Sequence, residues 1–170
     1  MIMKRFIALA LTMSMLLGFA ACGKDENNSR RNSRRETVAS ETESNKIEEL
    51  QSIEGTMLEI TSTIRLPVEE GTDIDNTIIV EYNGDAYEVD TGYLNCHLSD
   101  EEYLTIYTFC TESVENNTFA DYYEEVCDGV TYRFTFYDED GNAHLIYDGY
   151  IYDNAELNSI LSIFSNYYID

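Results

Sequence analysis

The spacing of apolar residues predicts a β-strand soon after residue 56. Apolar side chains recur at nearly every second position from Leu58 to Leu66, which is the period of a strand with one buried face. Pro67 cannot continue a ladder of hydrogen bonds, so the strand is expected to end there.

A hairpin is predicted next. Two alternating segments, residues 78–82 and 85–90, are separated by Asn83-Gly84, a dipeptide typical of two-residue hairpin turns because both positions take positive φ. Such a turn fixes the register and gives the hairpin one apolar face. The expected pairs on that face are Val80 with Tyr87 and Ile78 with Val89.

Two segments carry the signals of capped amphipathic helices. Ser99 and Glu102 form a capping box before a helix predicted at about residues 100–112, and Asp153-Asn154-Ala155-Glu156 opens a second helix. Their apolar stripes are Tyr103, Ile106, Tyr107 and Cys110 in the first helix, and Leu157, Ile160, Leu161 and Phe164 in the second. Each helix follows a hairpin, so these are either two related hairpin-helix units or two independent helices of common design.

Turn signals at Asp128-Gly129 and Asp140-Gly141 predict a meander of residues 119–126, 130–139 and 142–152. In that register Phe134 lies between Tyr123 and Tyr147. Arg133 lies between Glu124 and Asp148, which predicts a structural cross-strand ion pair. Alternatively, residues 119–126 are helical, and Glu124 is then no partner of Arg133.

The expected fold is α+β, an antiparallel sheet of hairpins with two amphipathic helices packed on one face.

The first 22 residues follow a different pattern. A basic pair, Lys4-Arg5, precedes an apolar run from Phe6 to Leu17, which is short for a membrane span and typical of a secretory signal. Small residues then lead directly to Cys22, and this ending resembles the lipobox of bacterial lipoproteins. The resemblance implies a diacylglyceryl group on the Cys22 thiol, cleavage just before it, and attachment to the extracytoplasmic face of the cell membrane. An ordinary signal cleaved after Ala20 is the alternative.

Composition divides the chain into three parts. Residues 1–21 are the signal peptide, residues 22–46 are the lipidated cysteine with a polar tether expected to be disordered, and residues 47–170 are long enough for one domain. The tether contains four arginines between Arg30 and Arg35. They are expected either to contact anionic lipid headgroups or to solubilise the linker.

The domain is strongly acidic. From Glu48 to Asp170 there are 28 acidic residues against Arg65 and Arg133 alone, a net charge of about −26. Such a surface repels nucleic acid and anionic membranes, so neither is an expected partner of the domain. It attracts a basic protein or peptide and, weakly, divalent cations, or it serves only to keep the domain soluble.

Chemical motifs are scarce. His97 and His144 belong to no recognisable triad or zinc-binding helix, and the acidic turns lack the ligand spacing of a calcium loop, so no catalytic residue, metal site or cofactor is predicted. Two states are open for the three cysteines of the domain, Cys96, Cys110 and Cys127: one disulfide with one buried thiol, or three buried thiols.

Tyrosine is the residue type that suggests a binding surface. All 14 tyrosines lie in the domain, where an apolar ring with a polar tip suits both half-buried strands and contact surfaces. The candidates for a peptide or glycan surface are Tyr122, Tyr123, Tyr150 and Tyr152. The favoured function is a non-catalytic binding module at the cell surface, and the alternative is a hydrolase that uses an unrecognised pair of carboxylates.

Overall fold

The computed structural model describes residues 44–65, 72–89, 91–124 and 129–168. They form an α+β fold, which confirms the predicted class. The helices are α1 (44–51), α2 (Asp100–Asn116) and α3 (Ala155–Ser165). The strands are β1 (Thr56–Ile64), β2 (Ile74–Glu81), β3 (Asp85–Glu88), β4 (Asn95–His97), β5 (Val130–Tyr137) and β6 (Ala143–Tyr150).

One antiparallel sheet contains all six strands, in the order β4-β3-β2-β1-β5-β6. The β2–β3 hairpin lies on one side of β1 and the β5–β6 hairpin on the other, so β1 pairs with the first strand of each. The outermost strands are therefore β4, with three residues, and β6, with eight.

The main core lies between one face of the sheet and the helices. Leu58 and Ile60 of β1 are buried there with Phe134 of β5, and the ring of Phe134 meets that of Phe109 on α2 at 6.2 Å between centroids. Leu157 on α3 is fully buried. The predicted packing of α2 and α3 on one sheet face is confirmed.

Local capping begins both predicted helices. Ser99 and Glu102 form the expected capping box of α2, with the Ser99 amide donating to the Glu102 carboxylate at 3.0 Å. The cap of α3 is Asn154, whose side-chain oxygen accepts from the amides of Glu156 and Leu157 at 3.1 and 2.9 Å. Helix α2 runs four residues beyond its predicted end and stops at Asn117, which adopts the left-handed conformation with φ 52°.

The predicted register of the β2–β3 hairpin is wrong by one residue. Val80 pairs with Ala86 and Ile78 with Glu88, so the loop between the strands has three residues rather than two. The cause is Tyr82, which is only 2% exposed and donates its hydroxyl to the Tyr137 carbonyl at 2.8 Å. Because side chains alternate between faces, the shift buries Glu88 and leaves Val89 55% exposed.

The β5–β6 hairpin keeps the predicted pair of Phe134 with Tyr147 through a different geometry. Its loop spans residues 138–142 instead of the two residues expected. A bulge follows, because Phe134 faces Tyr147 and Thr135 faces Leu145, which leaves Ile146 as the extra residue. The bulge cancels the register shift that the longer loop introduces, so the pairs from Thr131 to Phe134 have the predicted register.

Three segments depart from the expected elements. Residues 117–121 form turns and 122–124 have no regular structure, so the part of 119–126 that the structure describes is neither strand nor helix. Phe134 consequently faces Ile60 of β1 on the side where Tyr123 was expected. Strand β4 lies between the predicted hairpin and the predicted first helix, where no strand was expected, and α1 includes residues 44–46, which composition had assigned to the tether. Within the described ranges, no helix combines the length and apolar character needed to cross a membrane.

Candidate binding surface

Glu124 joins two loop segments that are far apart in sequence. Its carboxylate accepts from the backbone amides of Tyr152 at 2.6 Å and Asp153 at 3.2 Å, and also from the hydroxyl of Tyr122. The segment after α2 is thereby fixed to the junction between β6 and α3. We call this region the Glu124 surface; it comprises Tyr122, Tyr123, Glu124, Tyr152 and Asp153.

The Glu124 surface has a buried aromatic support and two exposed rings. Tyr122 is half-buried and packs against Tyr147 at 5.3 Å between ring centroids. Tyr123 and Tyr152 project outward and are 76% and 82% exposed. The side chain of Glu124 fixes the backbone beside both exposed rings, so their main chains lie close together.

Tyr150, the fourth tyrosine of the predicted surface, is half-buried near the end of β6. Its carbonyl accepts from the hydroxyl of Tyr147. Strand alternation places its side chain on the sheet face away from the helices, with Arg133 and Asp148. The structure therefore brings together Tyr122, Tyr123 and Tyr152.

Arg133 contacts one of its two predicted partners. Its Nε and Nη2 atoms donate to Oδ2 of Asp148 at 3.0 and 2.7 Å, and these contacts raise the pKa of the guanidinium. The neighbour on the other side is Thr61 of β1. Glu124 was expected there only if its segment formed a strand, and it instead caps the backbone at Tyr152.

An open acidic pocket of about 350 Å³ lies beside the β5–β6 loop. Its charged lining residues are Glu54, Asp138 and Glu139, and its aromatic ones are Tyr82 and Tyr137. No lysine or arginine lines it among the described residues.

Next to the acidic pocket, Tyr107 donates its hydroxyl to Glu139 at 2.9 Å, and Lys46 lies over the Tyr107 ring with Nζ 5.0 Å from its centroid. The Lys46 ammonium group thus packs on an aromatic ring that is itself hydrogen-bonded to a carboxylate of the pocket.

Burial and nearby carboxylates shift the pKa values around the pocket. Burial, followed by the charge of Glu139, raises the pKa of Tyr103 to about 12 and raises that of Tyr82 as well. Burial also raises the pKa of Tyr107, followed by its hydrogen bond to Glu139. The pKa of Asp138 is lowered, first by the hydrogen bond with His144 and then by bonds from Asn142. These tyrosines are neutral and Asp138 is ionised near neutral pH.

Each histidine lies beside an aspartate, and the two described cysteines are free thiols. His97 lies 2.9 Å from Asp85 and His144 lies 3.0 Å from Asp138. Cys96 and Cys110 are free thiols, so they do not form a disulfide with each other. No group of three or more His, Cys, Asp or Glu side chains in the described part of the chain is arranged to hold a metal ion.

Several predicted features lie outside the described residues: the signal segment, Cys22, Arg30 to Arg35, Pro67, Asp128 and Cys127. Comparison with known proteins finds no matching family model, no matching curated protein and no matching solved structure.

Proposed function

We propose that this protein is a lipid-anchored binding module on the extracytoplasmic face of a bacterial cell membrane, without catalytic activity of its own. The segment from Lys4 to Cys22 supports the anchor, since its basic start, short apolar run and final cysteine resemble a lipoprotein signal. The polar tether would hold the acidic domain clear of the surface.

One observation supports the binding role: Tyr123 and Tyr152 are more than three-quarters exposed, and the carboxylate of Glu124, the residue after Tyr123, accepts from the backbone amide of Tyr152 at 2.6 Å. Exposed rings on a rigid support lose little conformational entropy on binding, and tyrosine is enriched where proteins meet. Residues 117–128 and 149–158 contain no lysine or arginine. A basic protein or peptide matches this charge, and its cations can stack on the two rings.

The carboxyl groups favour this role over the hydrolase alternative. A general acid needs a carboxyl pKa raised by burial or by a neighbouring negative charge. Among the described residues, the carboxyl pKa values that shift clearly are those of Glu102 and Asp138, and both are lowered by hydrogen bonds. No carboxyl group with a raised pKa is found in residues 44–65, 72–89, 91–124 and 129–168.

The anchor is tested by the mass of the chain isolated from bacterial membranes. Wild type should lack residues 1–21 and carry a diacylglyceryl group on Cys22, whereas Cys22→Ala should carry no lipid. Cys96→Ala is the matched control, because Cys96 is also a free thiol, and it should be lipidated normally. A wild-type chain cut after Ala20, or one without lipid, contradicts the anchor.

The binding surface is tested with an arginine-glycine peptide and the full chain in detergent. Replacing Tyr123 and Tyr152 together by serine should weaken binding roughly 5–30-fold, since each exposed cation–π contact contributes about 0.5–1 kcal/mol. Tyr93→Ser is the control, because Tyr93 is 63% exposed and follows β3, away from the β6 edge. Equal losses from both changes would assign the binding to general negative charge and reject the Glu124 surface.

A further inference from the structure

The outer edge of β6 is the longer of the two edges of the sheet. β6 pairs with β5, and no described residue outside that ladder forms a backbone-to-backbone hydrogen bond with it. In an edge strand, alternate residues point their N–H and C=O groups away from the sheet. About half of the backbone polar groups of β6 are therefore open to pairing with another strand.

The opposite edge of the sheet is protected by its shortness. β4 has three residues, Asn95–His97, and Ser99 begins the cap of α2 two residues later. Lysine, proline and bulges also prevent edge pairing. β6 has eight residues without lysine or proline, and it carries a bulge at Ile146. Beyond the bulge, the residues from Tyr147 to Tyr150 form a regular ladder with β5, so a strand of about four residues can pair there.

This regular part of the edge is continuous with the Glu124 surface. Tyr150 ends β6, and Tyr152 follows two residues later. On the sheet face away from the helices, Oδ2 of Asp148 accepts from Arg133, whereas no described residue donates to its Oδ1. A carboxylate oxygen and two exposed aromatic rings thus lie along the line that an added strand would follow.

Charge selects the partner of this edge. Residues 138–158 contain six acidic residues and no lysine or arginine. A second copy of the chain brings the same charge, and a domain with a net charge of about −26 repels its own copy. A basic partner is attracted instead, and it must be extended in order to pair with a strand.

We propose that β6 is the docking edge for an extended basic segment of a partner protein, which adds to the sheet as a seventh strand beside Tyr147–Tyr150. This inference deepens the proposed binding role and rests on it. The backbone of the segment pairs with β6, a basic side chain lies beside Asp148, and the continuing segment reaches the rings of Tyr123 and Tyr152. In this mode of recognition, backbone hydrogen bonds provide affinity and alternate side chains provide specificity.

The position of the added strand is tested by amide hydrogen exchange in the full chain in detergent. The probe is an eight-residue peptide of alternating lysine and valine. At saturation it should slow exchange of the outward-facing amides of residues 147–150 by roughly tenfold or more, because these amides gain hydrogen-bond partners. The amides of Asn95–His97 are the control within the same molecule and should be unaffected. No added protection at 147–150, or equal protection at both edges, overturns the proposal.

Two N-methylated forms of the peptide separate backbone pairing from charge attraction. One is methylated on its valine nitrogens and the other on its lysine nitrogens, and both keep the charge of the parent peptide. A strand directs alternate N–H groups to its neighbour, so the two forms should differ in affinity by roughly tenfold or more. Attraction by charge alone treats them alike, so equal affinities reject the strand.

The variant with Tyr123 and Tyr152 replaced by serine distinguishes failure of this inference from failure of the proposed function. Weaker binding by this variant, with equal affinities of the two methylated forms, retains the Glu124 surface and rejects the edge. Unequal affinities of the methylated forms, with undiminished binding by the variant, retain the edge and reject the Glu124 surface. Protection of residues 147–150 that rises with protein concentration in the absence of peptide assigns the edge to a second copy and overturns the proposal.

Discussion

The two hairpins beside β1 carry similar turn dipeptides but are stabilised by opposite kinds of side chain. The β2–β3 loop contains Asn83-Gly84 and is fixed by the buried ring of Tyr82. The β5–β6 loop contains Asp140-Gly141 and is fixed at the surface by the Asp138 carboxylate, which accepts from the amides of Asp140 and Asn142 at 3.0 and 2.8 Å. An aromatic residue in the core sets one register, and a polar loop with a bulge sets the other.

The largest expected loss of stability comes from placing a charge on the face of β3 that the three-residue β2–β3 loop turns toward the core. Ala86 is fully buried, so Ala86→Asp places an unpaired charge in the core and should destabilise the fold by roughly 3–5 kcal/mol in urea unfolding. Val89→Asp is the matched control and should cost under about 1 kcal/mol, because Val89 is 55% exposed. A two-residue turn would expose Ala86 and bury Val89, so the reverse order of effects would refute the register.

A smaller effect is expected from the hydroxyl that holds the first loop. Tyr82→Phe keeps the ring and removes the bond to the Tyr137 carbonyl, which should lower the free energy of unfolding by about 1–2 kcal/mol. Burial, then Glu139, raises the Tyr82 pKa, so the folded state favours the neutral phenol. The stability this gives is complete below the unfolded pKa of about 10 and is lost as pH rises above it. The difference between wild type and variant should therefore shrink above about pH 10; a constant difference up to pH 11 would contradict this.

The smallest effect is expected in the second loop. Asp138→Asn removes the carboxylate charge that accepts from Asn142 and His144 and should cost about 0.5–1 kcal/mol. Because His144 and then Asn142 lower the Asp138 pKa, the stabilisation is present above the unfolded pKa of about 4 and is lost as pH falls toward the folded value. Urea unfolding from pH 7 to pH 2.5 should show the two proteins converging below about pH 4. The two hairpins should thus weaken at opposite ends of the pH scale.

Local signals predicted the elements more accurately than the register. The capping box of Ser99 and Glu102 placed α2 correctly because it depends on neighbours within one turn. The apolar face of the first hairpin depends on whether Tyr82 joins the ladder or the core, which is a tertiary choice that a turn dipeptide does not encode. Helix α1 was missed because its buried residues, Ile47 and Leu50, are too few to stand out beside a polar segment.

The sequence indicated which tyrosines belong to the candidate surface but not which contacts bring them together. Tyr122, Tyr123 and Tyr152 do lie together, but they are joined by Glu124 capping the β6–α3 junction rather than by neighbouring strands. A carboxylate that accepts from amides 28 and 29 residues away leaves no periodic pattern in the sequence. The burial of Glu88 was likewise hidden, because it follows from the one-residue shift in register.

The thiol of Cys110 gives the molecule a built-in kinetic probe. Cys110 on α2 is completely buried, and burial raises the pKa of its thiol, so alkylating reagents reach it only after the helix leaves the sheet. Cys96 on β4 is partly exposed and should react earlier. The rate of Cys110 alkylation consequently measures how often the helical layer opens, and no cysteine has to be introduced for the measurement.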